Sequence, residues 1–256
     1  MYVQEISIEN LTNADRQEVW ETFDLLIGFY RGSGQKLGRI ESQYMVGNRM
    51  VCLPFTHEAD SLGPRYNNYY VNKQTEKLEK LCGSNLKIQT LGKDGVDSED
   101  TCNCSNPTGY LLITDFLTIH SPIRCCSCDR PVPLYRLPIY YDHGYMPILS
   151  WESNYTACDR LQMNCEVGER WALRQMQHLD SQLTKQGREI CRKIEELSGM
   201  PTYCYLYNYS KYKGDDSDRP CPGCGNGWHW VRESPGHYDF KCDKCRIISA
   251  ISPLAR

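Results

Sequence analysis

The stretch that decides how this chain is organised is residues 219–247, RPCPGCGNGWHWVRESPGHYDFKCDKCRI. It holds two CxxC pairs, Cys221/Cys224 and Cys242/Cys245, with 17 residues between them. A two-residue spacer lets both sulfurs of a pair reach one tetrahedral metal at about 2.3 Å. Gly223 and Gly225 leave the backbone free to turn beneath the sulfurs. Between the pairs, WHWVRE and YDFKC alternate like two strands, with SPGH as their turn. The spacing predicts a zinc ribbon with four thiolate ligands and no open position, hence a structural metal. An oxidised dithiol is the competing reading and needs an oxidising compartment.

Upstream of a polar linker, KGDDSDRP, lies TYCYLYNYSKY, which alternates as a strand does. It places Tyr203, Tyr205, Tyr207 and Tyr209 on one face. Such a row is either a stacking or partner-binding platform or a sheet face packed on a helix, and packing is the simpler reading. Trp228 and Trp230 pose the same question. One of them should cap the small core of the ribbon, and Tyr205, Tyr207, Trp228 and Trp230 are the partner-binding candidates. Before the tyrosine strand, a helix begins at Ser181 and carries Leu183, Gly187, Ile190, Cys191, Ile194 and Leu197 on one face until Gly199 and Pro201 stop it. Residues 152–200 as a whole have helical character.

A second cysteine group precedes these helices. Cys102 and Cys104 form a CxC, and Cys125, Cys126 and Cys128 lie in CCSC, with the strand GYLLITDFL between. Cys125 with Cys128 has the CxxC spacing, so Cys102, Cys104, Cys125 and Cys128 are the expected ligands of a second structural zinc. Cys126 is then a bystander, unless it replaces Cys125. The remaining cysteines, at 52, 82, 158, 165, 191 and 204, are scattered and read as small apolar residues.

Residues 120–138 (HSPIRCCSCDRPVPLYRLP), 149–176 (LSWESNYTACDRLQMNCEVGERWALRQM), 187–209 (GREICRKIEELSGMPTYCYLYNY) and the two CxxC knuckles together resemble an uncharacterised bacterial family described as Zn-ribbon-containing and suspected of binding nucleic acid. The resemblance spans about residues 110–250 and implies a zinc-dependent fold. Its second knuckle starts with a single Cys, where this chain has Cys125-Cys126.

The first 91 residues read in the order β-α-β-β-α-β. YVQEISIE is a strand, and a helix capped by Thr12 or Asn13 runs to about Tyr30. RIESQYMV and RMVCLPF flank a tight GN turn, a second helix runs from about Asn68 to Leu81 with Gly83 as its stop, and NLKIQTL is the last strand. That is the ferredoxin-like order. The expected layout is α+β: a ferredoxin-like domain over 1–95, a β-rich zinc-binding segment over 96–150 with a strand at about 109–117, a helical segment and tyrosine strand over 151–212, and a zinc ribbon over 213–256.

Composition narrows the function classes. Of 256 residues, 40% are hydrophobic, enough for a core. No apolar stretch reaches the length of a membrane helix and MYVQEISIENL lacks the pattern of an export signal, so a reducing cytoplasm is the expected compartment for the 15 cysteines. Net charge is −3, and two Zn(Cys)₄ centres would lower it to about −7. That sign disfavours a protein whose main task is to hold a phosphate backbone. Acidic residues concentrate at Glu5, Glu9, Asp15, Glu18, Glu21 and Asp24 and at Asp94, Asp97, Glu99 and Asp100, which favours a basic protein partner. No P-loop, dinucleotide, zinc-protease or nucleophile-elbow motif is present. The leading reading is therefore a non-catalytic zinc protein with a protein partner, of which an antitoxin or immunity role is one form. The alternatives are nucleic-acid binding through the ribbon and an enzyme whose pocket gathers Asp142, His143, Glu152 and Arg170 from distant segments.

Overall fold

In the computed structural model, residues 1–38, 41–96, 98–230 and 238–255 are described. The chain divides into two compact units, residues 1–101 with 133–146, and residues 102–132 with 147–256. Their limits cross the four segments expected from sequence. The middle segment is shared between the units, and the helical and C-terminal segments belong to one of them.

The first unit begins with β1 (Tyr2–Glu9), whose Ile6 and Ile8 are fully buried. The helix α1 (Arg16–Gly32) follows. Its cap is Asp15, which accepts from the amides of Gln17 and Glu18 at 2.9 and 3.2 Å. The expected caps Thr12 and Asn13 lie one turn too early, and the Thr12 hydroxyl donates instead to the Leu81 carbonyl. A hairpin of β2 (Gln43–Val46) and β3 (Arg49–Cys52) turns at Gly47-Asn48, and Phe55–Thr56 forms the short β4. The second helix, α2 (Tyr69–Cys82), is capped by Asn68 and ends at the left-handed Gly83, before β5 (Lys87–Lys93). β1 lies between β5 and β3, β2 flanks β3, and every pairing is antiparallel. Val19, Phe23, Leu26, Ile27 and Tyr30 of α1 pack with Val71 and Leu78 of α2 over Ile6, Ile8 and Met50. Residues 133–146 are fastened to this unit by Tyr135, whose hydroxyl donates to Glu58 Oε2 at 2.7 Å and meets Ser61 Oγ at 2.8 Å, and by the Arg136–Glu58 ion pair. In the acidic loop after β5, Asp97 lies outside the described residues.

The second unit is built on one six-stranded sheet, made of β6 (Tyr110–Leu112), β7 (Ile123–Cys125), β8 (Thr202–Tyr205), β9 (His229–Trp230), β10 (Phe240–Cys242) and β11 (Ile247–Ser249). Their spatial order is β7-β6-β8-β11-β10-β9. The central pairings β6/β8 and β8/β11 are parallel and the outer ones antiparallel. Parallel neighbours need long crossovers, and α3 (Met146–Asn164), α4 (Glu169–Gln177) and α5 (Gln182–Ser198) supply the one between β6 and β8. α5 is capped by Ser181 and stopped by the left-handed Gly199, as its sequence predicts. On one sheet face Leu111, Tyr203 and Ile248 form a cluster. β8 itself packs against α5, where Gly187 leaves room for Trp151 and Cys204.

The strand expected at 109–117 is only three residues long, and the tyrosine strand ends at Tyr205 rather than running on. The β6/β8 pairing opens at Gly109, whose neighbour Tyr110 donates to the Pro201 carbonyl at 2.8 Å. A β-carbon on Gly109 would lie 2.5 Å from that oxygen, a backbone atom that cannot swing aside. Gly109→Ala is therefore expected to cost about 2–4 kcal/mol by forcing β6 off β8. A chemical-denaturation midpoint equal to that of the parent protein would contradict this.

Candidate metal centres

Two groups of four cysteines come together in the second unit: Cys102, Cys104, Cys125 and Cys128, and Cys221, Cys224, Cys242 and Cys245. Within each group all four sulfurs lie within 4.8 Å of one another, and Cys224 Sγ is 3.8 Å from Cys242 Sγ. Sulfurs at a tetrahedral metal sit about 3.8 Å apart, given metal–sulfur bonds of about 2.3 Å, so either group could hold one metal ion.

The sheet presents these ligands. Cys125 ends β7, Cys242 ends β10, and each chain then turns sharply to bring in its second cysteine. Three turns share one backbone device. The residue after the second cysteine is left-handed: Asp129 (φ 56°), Gly225 (φ 71°) and Arg246 (φ 52°). The first sulfur of each accepts a backbone amide at 3.4 Å, from Ser127 to Cys125, Gly223 to Cys221 and Cys245 to Cys242. Such N–H···S bonds favour thiolate over thiol. The amide of Asn226 does so for Cys224 and holds its thiol at about 7. The CxC arm is tighter, and Cys104 donates its own amide to Cys102 Sγ at 3.4 Å.

This geometry separates Cys125 from Cys126. Cys125 is in the first-ligand position of its turn. Cys126 packs against the Leu111–Tyr203–Ile248 cluster, where burial pushes its thiol up to about 12. Gly223 and Gly225 prove to serve different ends. Gly225 takes the left-handed turn, whereas Gly223 is small because Cys245 Sγ lies 2.7 Å from where its β-carbon would be.

Neighbouring side chains hold the C-terminal cluster. Glu195 of α5 receives three hydrogen bonds from Arg246, the shorter two at 2.9 and 2.7 Å, and that guanidinium, working against burial, holds Glu195 below the usual carboxylate range. The Tyr203 hydroxyl donates to Asp243 at 2.6 Å, and Lys241 lies 4.7 Å over the same ring. Tyr203 is thus a buried post for the Cys242–Cys245 turn and not a platform. Tyr205 packs against Tyr238, with ring centroids 6.0 Å apart. Tyr207 lies past the end of β8, stacks with Tyr209 at 6.3 Å and lines an open groove together with Trp228. Trp228 also packs on Phe240 at 5.3 Å, which matches a capping tryptophan. The backbone of Trp230 is in β9, but its side chain and the expected turn at 234–237 lie outside the described residues. Asp142 and His143 belong to the first unit, where Asp142 accepts from Tyr70 at 3.0 Å, and Glu152 and Arg170 belong to the second.

An uncharacterised protein of Haemophilus influenzae is 33% identical over 236 residues, covering 89% of this chain and 88% of the relative. The chain belongs to that protein's bacterial family. A further uncharacterised Haemophilus influenzae member of the family is 34% identical over 172 residues, 67% of this chain and 85% of the relative. Three family models match in series. Residues 1–92 match a domain of unknown function (DUF8589), residues 104–207 another (DUF2310) and residues 210–255 a third (DUF8594). The DUF8594 stretch holds one complete cysteine group, and the DUF2310 stretch holds three cysteines of the other. No solved structure matches the chain. Among the described residues no helix is long and apolar enough to cross a membrane.

Proposed function

We propose that this chain is a non-catalytic zinc protein, in which two zinc ions brace the sheet of the second unit. The observation behind it is the pair of all-cysteine clusters at sheet-borne turns. Four thiolates suit zinc and fill its tetrahedron, leaving no position for a substrate or an activated water. On this reading β9–β11 with their two turns are a zinc ribbon, and the first unit, with its strand order β5-β1-β3-β2, is ferredoxin-like.

For the partner, the reading is a basic protein. Asp15, Glu18, Glu21 and Asp24 are exposed along α1, where an acidic surface steers basic partners at long range. An antitoxin or immunity role would use such a surface. Affinity purification with and without nuclease tests this. A protein retained after nuclease and lost on Glu18→Lys with Glu21→Lys supports it, whereas recovery that depends on nucleic acid overturns it. Metal analysis should find about two zinc ions per chain on the four-thiolate rule. A second reading, nucleic-acid binding, is favoured by a cation-lined cleft beside the C-terminal cluster.

A further inference from the structure

Between α5 and the Cys242–Cys245 turn lies an open cleft of about 490 Å³. Its cations are Lys185, Arg188 and Arg192 from α5, and Lys244 and Arg246 from the turn. Two of them are neutralised in place. Arg192 pairs with Glu189 and Glu196, and Arg246 with Glu195. Lys185, Arg188 and Lys244 are exposed and have no ion pair among the described residues. Lys185 and Arg188 are one helical turn apart, so they share a face, and Lys244 joins them from the other wall.

A second groove, of about 570 Å³, borders the same cysteine cluster on its Cys221–Cys224 side. Its lining includes the rings of Tyr207, Tyr212, Trp228 and Phe240, with His178, Asp180 and Asn208 beside them. Arg219 lies 5.5 Å over the Tyr212 ring. Gly223 lies between the two openings, next to Cys245, which lines the cleft, and Leu179, which lines the groove.

We propose that cleft and groove form one track for single-stranded nucleic acid. Lys185, Arg188 and Lys244 hold its phosphates, and Tyr207, Tyr212 and Trp228 stack its bases. The proposal rests on the nucleic-acid reading above and supplies its site. Clustered cations beside recessed aromatic rings are what an unpaired strand needs, because it exposes phosphates and base faces together. A duplex hides its base faces and gains only the cations. The five cations are offset by Glu189, Glu195 and Glu196 and by the −2 of a loaded centre, so the cleft is close to neutral overall and its attraction for phosphate is confined to Lys185, Arg188 and Lys244. Attraction is then short-range, with micromolar affinity at low salt and a shallow salt slope of about 0.7 per phosphate held.

Fluorescence anisotropy on the zinc-loaded full chain tests this. The probes are a labelled mixed-sequence RNA of roughly 12 nucleotides, the same DNA strand and its duplex, at about 50 mM salt, with tripolyphosphate as competitor. Either single strand should bind with micromolar affinity, and the stronger of the two names the natural ligand. Lys185→Ala, Arg188→Ala and Lys244→Ala combined should weaken binding about tenfold or more and flatten the salt slope. Tyr207→Leu with Tyr212→Leu should weaken it and leave the slope unchanged. Zinc content, measured on each variant, should stay at the parent value, which separates a failure here from a failure of the zinc reading. No binding, equal affinity for the duplex, or binding that resists the triple change overturns the track. So does tripolyphosphate binding in the cleft with no effect of the tyrosine changes, which would mean a site for free phosphates.

Discussion

Cys221→Ser is expected to remove one of two zinc ions per chain and to unfold the C-terminal module locally, leaving the first unit intact. Among the described residues from 210 onward, the buried apolar side chains apart from cysteine are Phe240, Ile247 and Ile248. Their burial contributes about 5–9 kcal/mol. A structural zinc contributes about 10–16 kcal/mol, more than the apolar core of the module, so the metal decides whether it folds. Metal analysis reads the loss directly. Limited proteolysis should open cuts between 210 and 255 in the variant and spare residues 1–96. Two zinc ions retained by Cys221→Ser would refute the assignment.

Cys125→Ser should likewise cost one zinc ion, and Cys126→Ser none. The contrast follows from direction. Cys125 Sγ faces its three partners and accepts the Ser127 amide, while Cys126 packs under Tyr203 and Leu111. Placing a hydroxyl in that apolar cluster should still destabilise the second unit by about 1–3 kcal/mol. Zinc loss from Cys126→Ser with none from Cys125→Ser would shift the ligand register by one residue.

How far these features could be read from sequence depended on their range. The paired cysteine spacings are local, and so are the caps at Asn68, Ser181, Gly83 and Gly199, which explains why the helices lie close to where periodicity puts them. The cap of α1 slipped from Thr12 or Asn13 to Asp15 because Thr12 is taken by a carbonyl 69 positions away, and nothing near Thr12 signals that bond. The tyrosine row misled for a related reason. Alternation persists to Tyr209, but pairing partners from β6 and β11 run out at Tyr205. The cleft was hidden by interleaving. Arg188 adjoins Glu189 and Lys244 adjoins Asp243 in sequence, and only the turn after β10 brings Lys244 to the α5 face that carries Lys185 and Arg188. The left-handed residues Asp129 and Arg246 carry no glycine to announce them, unlike Gly225.

The strand order of the second unit also bears on how the chain is made. β8 sits in mid-sheet, yet the neighbour on its far side, β11, follows the other described strands of that sheet in the sequence. Until it arrives, the growing chain carries an open strand edge along Cys204 and Tyr205, the kind of edge that recruits other chains. β11 is delivered in register by the Cys242–Cys245 turn, whose Arg246 carbonyl accepts the Cys204 amide at 2.9 Å. If that cluster holds zinc, as proposed, zinc supply during translation would govern how long the edge stays open. A cell short of zinc should accumulate this protein as aggregate rather than as soluble apo-protein.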